Sequence, residues 1–314
     1  MEHKPLIVIV GPTAVGKTGL SIELALHLNG EIVSADSMQI YKYMDIGTAK
    51  PTMEERKGIP HYLIDEVTPD EEFSVARYKR LADQYIEHIL GKKKIPIMVG
   101  GTGLYISSVL DNIQFSETIC DWNYRNELSE LAHQKGNEYV HQMLEEVDPV
   151  TAKKLHVNDL RRIIRALEVY KYTGIPISKH QENSRKQPSP YSILVIGLIM
   201  ERERLYHRIN QRVDTMLQEG LVEEVKRLLD MGYDKNLTSM QGLGYKEMIL
   251  YLEGKCSLDE AVEILKRDTR RYAKRQLTWF RRDKRIHWIE VEENSTKQEI
   301  LEKSMIYIEK SGLL

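Results

Sequence analysis

The sequence predicts an α/β fold: a parallel-sheet core that contains a phosphate-binding loop (P-loop), together with an all-helical insertion domain. Short apolar runs rich in β-branched residues alternate with helical segments up to residue 110, which is typical of βαβ units. A glycine-rich turn follows the first apolar run and leads into a helix. Residues 121–172 show helical periodicity and no convincing strand, which indicates a helical segment inserted into the core.

The N-terminal third supplies most of the predicted sheet. Residues 6–10 form a short apolar run, as a buried parallel strand does. Ser74 is a predicted helix N-cap, and Gly91 is predicted to close the same helix. Further predicted strands are 31–35, 61–67 and 95–99, and the predicted helices are 17–28, 74–90 and 103–110.

The chain is predicted to return to the sheet after the insertion, with strands at 192–200 and 286–291. The polar segment 181–190 contains two prolines and is predicted to be a loop. We therefore expect a core domain of residues 1–118 and 191–314 and a helical insertion domain of residues 119–190. The remaining predicted helices are 125–131, 138–144, 160–172, 203–219, 221–231, 244–252, 258–282 and a final helix.

The composition is that of an ordinary globular protein. The chain has 314 residues, enough for about two domains, with 41% apolar and 29% charged residues. No apolar run approaches the ~20 residues that a membrane helix needs, so we expect no membrane segment. The two cysteines, Cys120 and Cys256, form no zinc or disulfide pattern and favour the reducing cytoplasm. Because no extended apolar helix face is left over, we expect a monomer.

The net charge of −2 hides a strong local asymmetry. Residues 266–285 contain ten Lys and Arg but only two Asp, a local charge of +8, which leaves −10 for the remaining chain. This stretch is either a solvated cationic helix or a binding surface. Ten cations are too many to pair within the helix, and Trp279 and Phe280 lie among them. The pattern therefore favours a polyanionic partner, held at its phosphates and stacked at its bases.

A phosphate-binding loop follows the first predicted strand. Residues 11–18 fit G-x-x-x-x-G-K-[ST], in which backbone N–H groups surround phosphate oxygens at a helix N-terminus. Lys17 supplies charge to the terminal phosphate, and the Thr18 hydroxyl is placed to bind Mg²⁺. The pattern leaves open whether the ligand is ATP or another diphosphate. The predicted phosphate-binding residues are Gly11, Pro12, Thr13, Ala14, Val15, Gly16, Lys17 and Thr18.

Polar residues follow three of the predicted strands. Asp36 comes after the second strand, where open α/β sheets bind ligands, although a lone Asp there is more often a turn former or helix N-cap. Asp65 is its rival, because P-loop proteins often place a second magnesium ligand after an apolar strand. Thr102 follows the fourth strand and is either a site residue or part of a simple turn. The residues alone leave these alternatives open.

Seven segments, in order along the whole chain, resemble the bacterial tRNA dimethylallyltransferase family. They are residues 11–18, 36–41, 44–51, 99–105, 158–168, 244–246 and 273–281. Members of that family transfer the dimethylallyl group of dimethylallyl diphosphate to the exocyclic amine of an adenosine beside the tRNA anticodon. Eukaryotic relatives can carry a C-terminal zinc finger, whose Cys and His ligands are absent from this sequence.

The resemblance implies a role for each candidate residue. The P-loop would hold the diphosphate, with Mg²⁺ on Thr18, and Asp36 would be the general base that takes a proton from the adenine amine. Arg212 would stabilise the departing diphosphate. Arg208, one helical turn earlier, would either assist it or be a solvated charge. Thr102 would contact the target nucleotide near its base.

The resemblance also implies contact with the tRNA anticodon stem-loop, which the helical insertion would clamp. An adenine in a stacked loop must be extruded to react, so we expect two openings to the catalytic centre, one for the base and one for the prenyl diphosphate. The implied tRNA-binding residues are Asp36, Ser37, Met38, Gln39, Thr102, Arg125, Arg161, Arg162, Ile163, Ile164, Arg165, Gln241, Gly242, Leu243, Gly244, Tyr245, Lys246, Lys274, Arg275, Gln276, Trp279 and Arg281.

Three other functions fit parts of the sequence. A P-loop kinase of a small molecule would share the core, but it would not account for the +8 segment. A prenyltransferase acting on free adenine nucleotides would not need the long basic C-terminal third. A noncatalytic RNA-binding protein with a nucleotide-dependent switch would keep its activity without Asp36.

Overall fold

The computed structural model describes residues 4–115, 121–185 and 187–313. The chain divides into a core unit, Met1–Val109 with Pro190–Leu314, and a helical unit, Leu110–Ser189. The predicted domain boundary at 118–119 and Cys120 lie outside the described residues. Within the described ranges, no helix has the length and apolarity needed to cross a membrane.

The core unit contains a six-stranded sheet. Its strands are β1 Pro5–Val10, β2 Gly30–Ala35, β3 His61–Tyr62, β4 Ile95–Gly100, β5 Ser192–Ile199 and β6 Ile286–Glu290. Their order is β3-β2-β4-β1-β5-β6, and every neighbouring pair is parallel. β1 and β2 are buried along nearly their whole length, as strands covered on both faces are. The predicted α/β class is confirmed.

Helices account for most of the remaining chain. They are α1 Lys17–Leu28, α2 Val75–Gly91, α3 Gly103–Leu110, α4 Trp122–Lys135, α5 Asn137–Val147, α6 Pro149–Ala152, α7 Leu160–Thr173, α8 Ile177–Arg185, α9 Arg202–Gln218, α10 Leu221–Asp230, α11 Tyr245–Leu252, α12 Leu258–Phe280 and α13 Lys297–Ser311. The predicted cap of α2 is confirmed, since the Ser74 side chain accepts from the Arg77 N–H.

The strand register brings the carboxyl ends of three strands to one edge of the sheet. Val10 of β1 and Ala35 of β2 are both level with Gly100 of β4. Only glycine fits at position 100, because a Cβ there would lie 2.2 Å from the Ala35 carbonyl oxygen. The segments that follow these strands are the P-loop, Asp36 and the turn at 101–103, so all three meet where open α/β sheets bind ligands.

The helical unit has its own apolar core. Leu128, Val140, Leu144, Ile163 and Leu167 pack together from α4, α5 and α7. No strand occurs in its described residues, 110–115, 121–185 and 187–189. The unit therefore buries its apolar helix faces against one another.

Two predicted elements differ from the structure. The third strand ends at Tyr62 and not at residue 67, because Leu63 and Asp65 have left-handed backbone conformations with φ of 61° and 58°. The predicted loop 181–190 begins inside α8, which continues to residue 185. This helix is polar and mostly exposed, so it lacks the apolar periodicity that marks a helix in sequence.

Candidate active site

The P-loop joins β1 to α1, and its path depends on two glycines. Gly11 and Gly16 have φ of 147° and 108°, conformations that L side chains rarely adopt. A Cβ at Gly11 would also lie 2.6 Å from the Leu198 carbonyl oxygen. The loop backbone therefore lies at the start of α1, where N–H groups and the helix dipole attract anions.

Lys17 lies over the P-loop, with its Nζ donating to the Pro12 carbonyl oxygen at 2.7 Å. Burial, reinforced by the Arg212 guanidinium, lowers the pKa of Lys17 to about 7, while Asp36 opposes this shift. An anion beside Lys17 would raise that pKa again, because it favours the charged amine. Two cations at one loop thus favour an anionic ligand.

Asp36 directly follows β2, and the two oxygens of its carboxylate have different surroundings. Oδ1 accepts from the backbone N–H of Met38 at 2.9 Å and of Gln39 at 3.4 Å. In the described part of the chain, Oδ2 has no hydrogen-bond partner. Asp36 is therefore a turn former through one oxygen and can accept a proton or a ligand through the other.

Thr102 lies beside Asp36 at the end of β4. Its Oγ1 accepts from the Ser37 N–H at 3.0 Å and donates to Ser37 Oγ at 3.3 Å, while its own N–H donates to the Ala35 carbonyl oxygen at 3.2 Å. Thr102 thus ties the residues after β4 to those after β2. Because its side chain contacts Ser37, Thr102 is more than part of a simple turn.

Arg212 of α9 reaches the P-loop, and its Nη1 donates to Thr13 Oγ1 at 3.3 Å. Burial lowers the pKa of Arg212, and the nearby Asp36 raises it. Arg208 is exposed one turn earlier and lines a different cavity, on the far side of the P-loop beside Gly16. The structure therefore places Arg212, and not Arg208, beside Lys17 and Asp36.

Gln276 of α12 bridges two loops of the site. Its Oε1 accepts from the Thr13 N–H at 2.9 Å, and its Nε2 donates to the Gly101 carbonyl oxygen at 3.0 Å. Its side chain is only 5% exposed. The Gln276 side chain therefore holds the P-loop against the turn after β4, and it also lines a cavity of the core unit. Its implied contact with tRNA stays a prediction.

Two cavities of the core unit meet at Asp36. The first, cavity 1, is a cleft of about 630 Å³, counting the part open to solvent, and is lined by P-loop residues including Lys17 and Thr18. The second, cavity 2, is a cleft of about 1130 Å³, counted in the same way, and is bordered by the segment 241–246 and by Arg275. The residues that line both cavities are Thr13, Asp36, Thr48, Arg212 and Tyr272.

Several residues that line these cavities were not foreseen from the sequence, among them Thr48, His61 and Tyr272. Burial and then the charge of Asp36 raise the pKa of Tyr272 to about 12, so its phenol stays protonated. His61 Nδ1 lies 2.8 Å from the Ile59 carbonyl oxygen, burial lowers its pKa, and its Nε2 has no partner among the described residues. Tyr272 could have been found, because it precedes Gln276 by four residues on one face of a helix.

Asp65 lies outside both cavities. Its Oδ1 accepts from Lys50 Nζ at 2.5 Å, and the same Nζ donates to Asp45 Oδ1 at 2.8 Å and to the Tyr41 carbonyl oxygen at 2.6 Å. Lys50 is only 4% exposed in its side chain. Asp65 therefore balances a buried lysine, and the alternative of a metal ligand at the phosphate site is wrong for this residue.

A buried glutamate shapes the wall of cavity 2. Glu224 accepts from three consecutive backbone N–H groups, of Asp45 and Ile46 at 2.9 Å each and of Gly47 at 3.1 Å. The Tyr245 hydroxyl donates to it at 2.7 Å. The Tyr245 side chain is fully buried, so its implied contact with tRNA is corrected to a supporting role behind the cavity wall.

The rest of the segment 241–246 faces cavity 2. Gln241, Gly242, Leu243, Gly244 and Lys246 all line it. A Cβ at Gly242 would lie 2.4 Å from Met38 Cε, so the two tRNA-assigned segments touch there. The missing side chain permits this close approach.

The basic stretch is divided between paired and unpaired cations. Lys266 pairs with Asp214 at 2.7 Å, and other members pair with Asp268 or Asp283. Arg270 donates to the amide oxygen of Asn210 at 2.7 Å. In the described ranges, six members of the stretch have no carboxylate partner: Arg270, Lys274, Arg275, Arg281, Arg282 and Lys284. Trp279 is 41% exposed and its ring packs on Gly103, whereas Phe280 is 3% exposed. The prediction that Phe280 stacks on bases is therefore wrong, because it is a core residue.

The predicted cations of the helical unit lie at its surface. Arg161 and Arg162 are exposed, and Arg165 and Arg125 both contact the buried carboxylate of Glu168. Ile163 and Ile164, in contrast, are 0% and 5% exposed in the core of this unit. Their side chains are corrected from tRNA contacts to core residues. The i, i+4 spacing of α7 separates an apolar face from a cationic one.

The described residues contain no group of three His, Cys, Asp or Glu that could hold a metal ion. This does not conflict with a magnesium–phosphate complex, since Mg²⁺ commonly takes only one or two protein oxygens and completes its shell with phosphates and water. Thr18 lines cavity 1 together with Lys17 and Asp36. These residues fit such a complex.

Comparison with known proteins identifies close relatives over the whole chain. Residues 39–283 match the family described as IPP transferase. The chain is 60% identical over 308 residues to the tRNA dimethylallyltransferase of Acetivibrio thermocellus, covering 98% of each protein. It is 58% identical over 285 residues to that of Carboxydothermus hydrogenoformans, covering 91% of each.

Solved structures agree with the sequence comparison. The tRNA isopentenylpyrophosphate transferase of Bacillus halodurans superposes with a TM-score of 0.72 at 45% identity, over 98% of both chains. A eukaryotic dimethylallyltransferase acting on tRNA superposes with a TM-score of 0.83 at 32% identity, over 98% of this chain and 80% of that one.

Proposed function

The chain belongs to the IPP transferase family, and on that basis we propose that it transfers the dimethylallyl group of dimethylallyl diphosphate to the exocyclic amine of the tRNA adenosine 3′-adjacent to the anticodon, releasing diphosphate. One observation carries the proposal. The carboxylate of Asp36 lies where two cavities meet, one lined by the P-loop and the other by segments outside it. A two-substrate transfer needs that arrangement.

Cavity 1 takes the prenyl diphosphate in this proposal. The P-loop N–H groups bind the phosphate oxygens, and Lys17 and Arg212 approach them from two sides. The Thr18 hydroxyl would hold Mg²⁺, which when bound supplies positive charge to the diphosphate. Three apolar residues that also line this cavity, Ile32, Ile64 and Val99, suit the hydrocarbon end.

Cavity 2 takes the extruded adenine. Met38, Ile209 and Leu243 offer apolar surface to a flat base, while Thr102 and Ser37 lie beside Asp36. The amine must approach the allylic carbon within the region shared by the two cavities. Five residues line both cavities, and this shared lining supports our proposal that both substrates bind within reach of Asp36.

Asp36 acts as the general base. The adenine amine is a weak nucleophile because its lone pair is delocalised into the ring. As its nitrogen bonds to the allylic carbon, the carbon–oxygen bond to diphosphate breaks, and Oδ2 takes a proton from the amine. The Met38 N–H holds Oδ1 and so fixes the direction of Oδ2. Lys17 and Arg212 stabilise the charge that develops on the leaving diphosphate.

The cationic surfaces bind the anticodon stem-loop. The cations at the end of α12 and just after it that have no carboxylate partner in the described ranges suit the RNA backbone, and the exposed Arg161 and Arg162 of the helical unit add a second charged surface. We propose that the protein works in the cytoplasm and that it is a monomer. The elution volume of the purified protein, with and without tRNA, would check the oligomeric state.

The decisive experiment is incubation with Mg²⁺, dimethylallyl diphosphate and unmodified tRNA, followed by mass analysis of the nucleosides. We expect a dimethylallyl adduct on one adenosine. Asp36→Asn should lose about 10²–10⁴-fold in kcat, the usual share of general-base catalysis, with tRNA affinity mostly retained. Asp65→Asn is the matched control, because this carboxylate lies outside both cavities. Hydrolysis of ATP or phosphoryl transfer without any adduct would support the kinase alternative, and full activity of Asp36→Asn would exclude the proposed base.

A further inference from the structure

Aromatic and cationic side chains contact one another where two helices of the helical unit meet. The members are Trp122, Tyr124 and Arg125 near the start of α4 and Lys171 and Tyr172 near the end of α7; we call this set the aromatic strip. Trp122 is 56% exposed and Tyr172 is 42% exposed. The mechanism proposed above uses neither aromatic residue.

The cations of the strip lie over its rings. The Arg125 guanidinium carbon is 5.1 Å from the centroid of the Trp122 ring. Lys171 Nζ is 3.7 Å from the Tyr124 centroid and 5.5 Å from that of Tyr172. Each aromatic group thus carries a positive charge beside it, which suits a partner that is both planar and anionic.

Two carboxylates beneath the surface hold the strip in place. Glu168, which is fully buried, accepts from Arg125 Nε and Nη2 at 2.8 Å each and from the Asp121 backbone N–H at 3.0 Å. The Asp121 carboxylate accepts from the Tyr124 N–H at 3.0 Å and from the Tyr172 hydroxyl. Because these groups are already ordered, binding a ligand costs little side-chain entropy.

Further cations lie near the strip. Arg165 also contacts Glu168, and Arg161 lies one turn before Arg165 on the same face of α7. Arg161 and Arg162 are both exposed. Arg162 pairs with Asp159 at 3.5 Å, whereas Arg161 has no carboxylate partner among the described residues and can bind a phosphate group directly.

We propose that the aromatic strip stacks on unpaired nucleobases of RNA while its cations bind the adjacent phosphates. The inference rests on the proposed function and specifies which surface of the helical unit contacts the RNA loop. Aromatic faces interleaved with Lys and Arg are how proteins bind single-stranded nucleic acid, because every base has a face to stack on.

The test measures the Kd of a fluorescently labelled, unmodified anticodon stem-loop by anisotropy with the full-length protein. Trp122→Ala should weaken binding about 5- to 100-fold, the usual effect of removing one stacking ring. Trp122→Phe should recover most of that loss. Tyr139→Ala is the matched control, because Tyr139 is 39% exposed on the same unit with Lys135 Nζ 4.5 Å from its ring centroid. It should change the Kd by less than about twofold.

Two further readouts separate stacking from a general loss of structure. At saturating RNA, Trp122→Ala should keep the wild-type kcat, and its melting curve should match that of Trp122→Phe. The proposed role of the aromatic strip is refuted if the wild-type protein binds and modifies the RNA while Trp122→Ala binds it equally well. It is also refuted if Tyr139→Ala weakens RNA binding as much as Trp122→Ala does. If the wild-type protein neither binds nor modifies the RNA, the proposed function itself fails.

Discussion

Replacing Glu224 with Gln should destabilise the core unit and loosen the wall of cavity 2. The carboxylate is 2% exposed and accepts four hydrogen bonds, two on each oxygen: Asp45 and Ile46 donate to Oε2, and Gly47 and Tyr245 donate to Oε1. An amide of the same shape keeps one oxygen and presents an NH₂ group to two donors. Two buried donors then lose their acceptor.

The magnitude follows from those two donors. A buried donor left without an acceptor costs about 1–3 kcal/mol, and hydrogen bonds to a charged group are worth about 1.5–3 kcal/mol. We therefore expect Glu224→Gln to lower the free energy of unfolding by about 3–5 kcal/mol. For a domain of this size, that corresponds to a fall in Tm of roughly 6–15 °C. Tyr245→Phe removes one donor only and should cost about 1 kcal/mol.

The assay combines calorimetry with hydrogen exchange at individual amides. In Glu224→Gln, the N–H groups of Asp45, Ile46 and Gly47 should exchange faster than the rest of the sheet edge. Glu223→Gln is the matched control, because Glu223 is an exposed carboxylate on the same helix turn. A Tm within about 1 °C of wild type, with the three amides still protected, would refute the reasoning.

Two further predictions concern pH. The pKa of Lys17 is about 7 without an anion and should rise when a phosphate group binds. Binding of inorganic diphosphate above pH 7 should therefore be coupled to uptake of a proton by Lys17. For the same reason, the affinity for diphosphate should fall as pH rises above 7. Calorimetric titrations in buffers of different ionisation enthalpy measure that proton, and Lys17→Met should abolish it. Burial alone would raise the pKa of Glu31, but hydrogen bonds from Lys94, Tyr62 and Lys92 lower this pKa to about 2. The ionised Glu31 carboxylate therefore contributes its full stabilisation above pH 4.5, and this stabilisation is lost as pH falls towards 2. Glu31→Gln should lower the free energy of unfolding by about 2 kcal/mol at pH 7 and should weaken its dependence on pH between 4.5 and 2. Glu87→Gln, which removes an exposed ion pair, should change neither quantity.

Each pH prediction has its own contradicting result. Equal heats of diphosphate binding in all buffers at pH 8 would show that Lys17 is already charged before binding. For Glu31→Gln, an acid-unfolding curve parallel to that of wild type between pH 4.5 and 2 would show that this carboxylate contributes no pH dependence.

The sequence predicted the elements that have strong periodicity or a defined motif. Strands β1, β2, β4 and β5 are apolar runs of the length that buried parallel strands require, and the P-loop fixes the start of α1. The short strand β3 and the polar helix α8 were predicted incorrectly, because backbone conformation at Leu63 and Asp65 ends the first and exposure hides the second. The spacing of apolar residues in a sequence indicates which residues are buried. It gives little signal for β3 and α8, because both lie largely at the surface.

From the residues alone, the candidate site was predictable where the P-loop motif or a strand end marks it. Asp36 and Thr102 lie at strand ends, so topology places them together. Arg212 and the segment 241–246 entered only through the family resemblance, and Tyr272 could have been found only through its i, i+4 spacing with Gln276. Glu224 comes from a helix more than 150 residues from the P-loop, and no spacing links it to the site. Charge pattern likewise marked the cations of α12 but could not separate exposed Trp279 from buried Phe280.

The central position of β1 affects how the protein is made. One side of β1 pairs with β4, but the other side pairs with β5, which the ribosome completes about 190 residues after β1 begins. At about 5–20 residues per second, that edge stays open for roughly 10–40 s while the rest of the N-terminal core and then the helical unit are synthesised. An apolar strand with an open edge is a template for aggregation, so nascent chains stalled before residue 199 should need chaperone protection that finished chains do not.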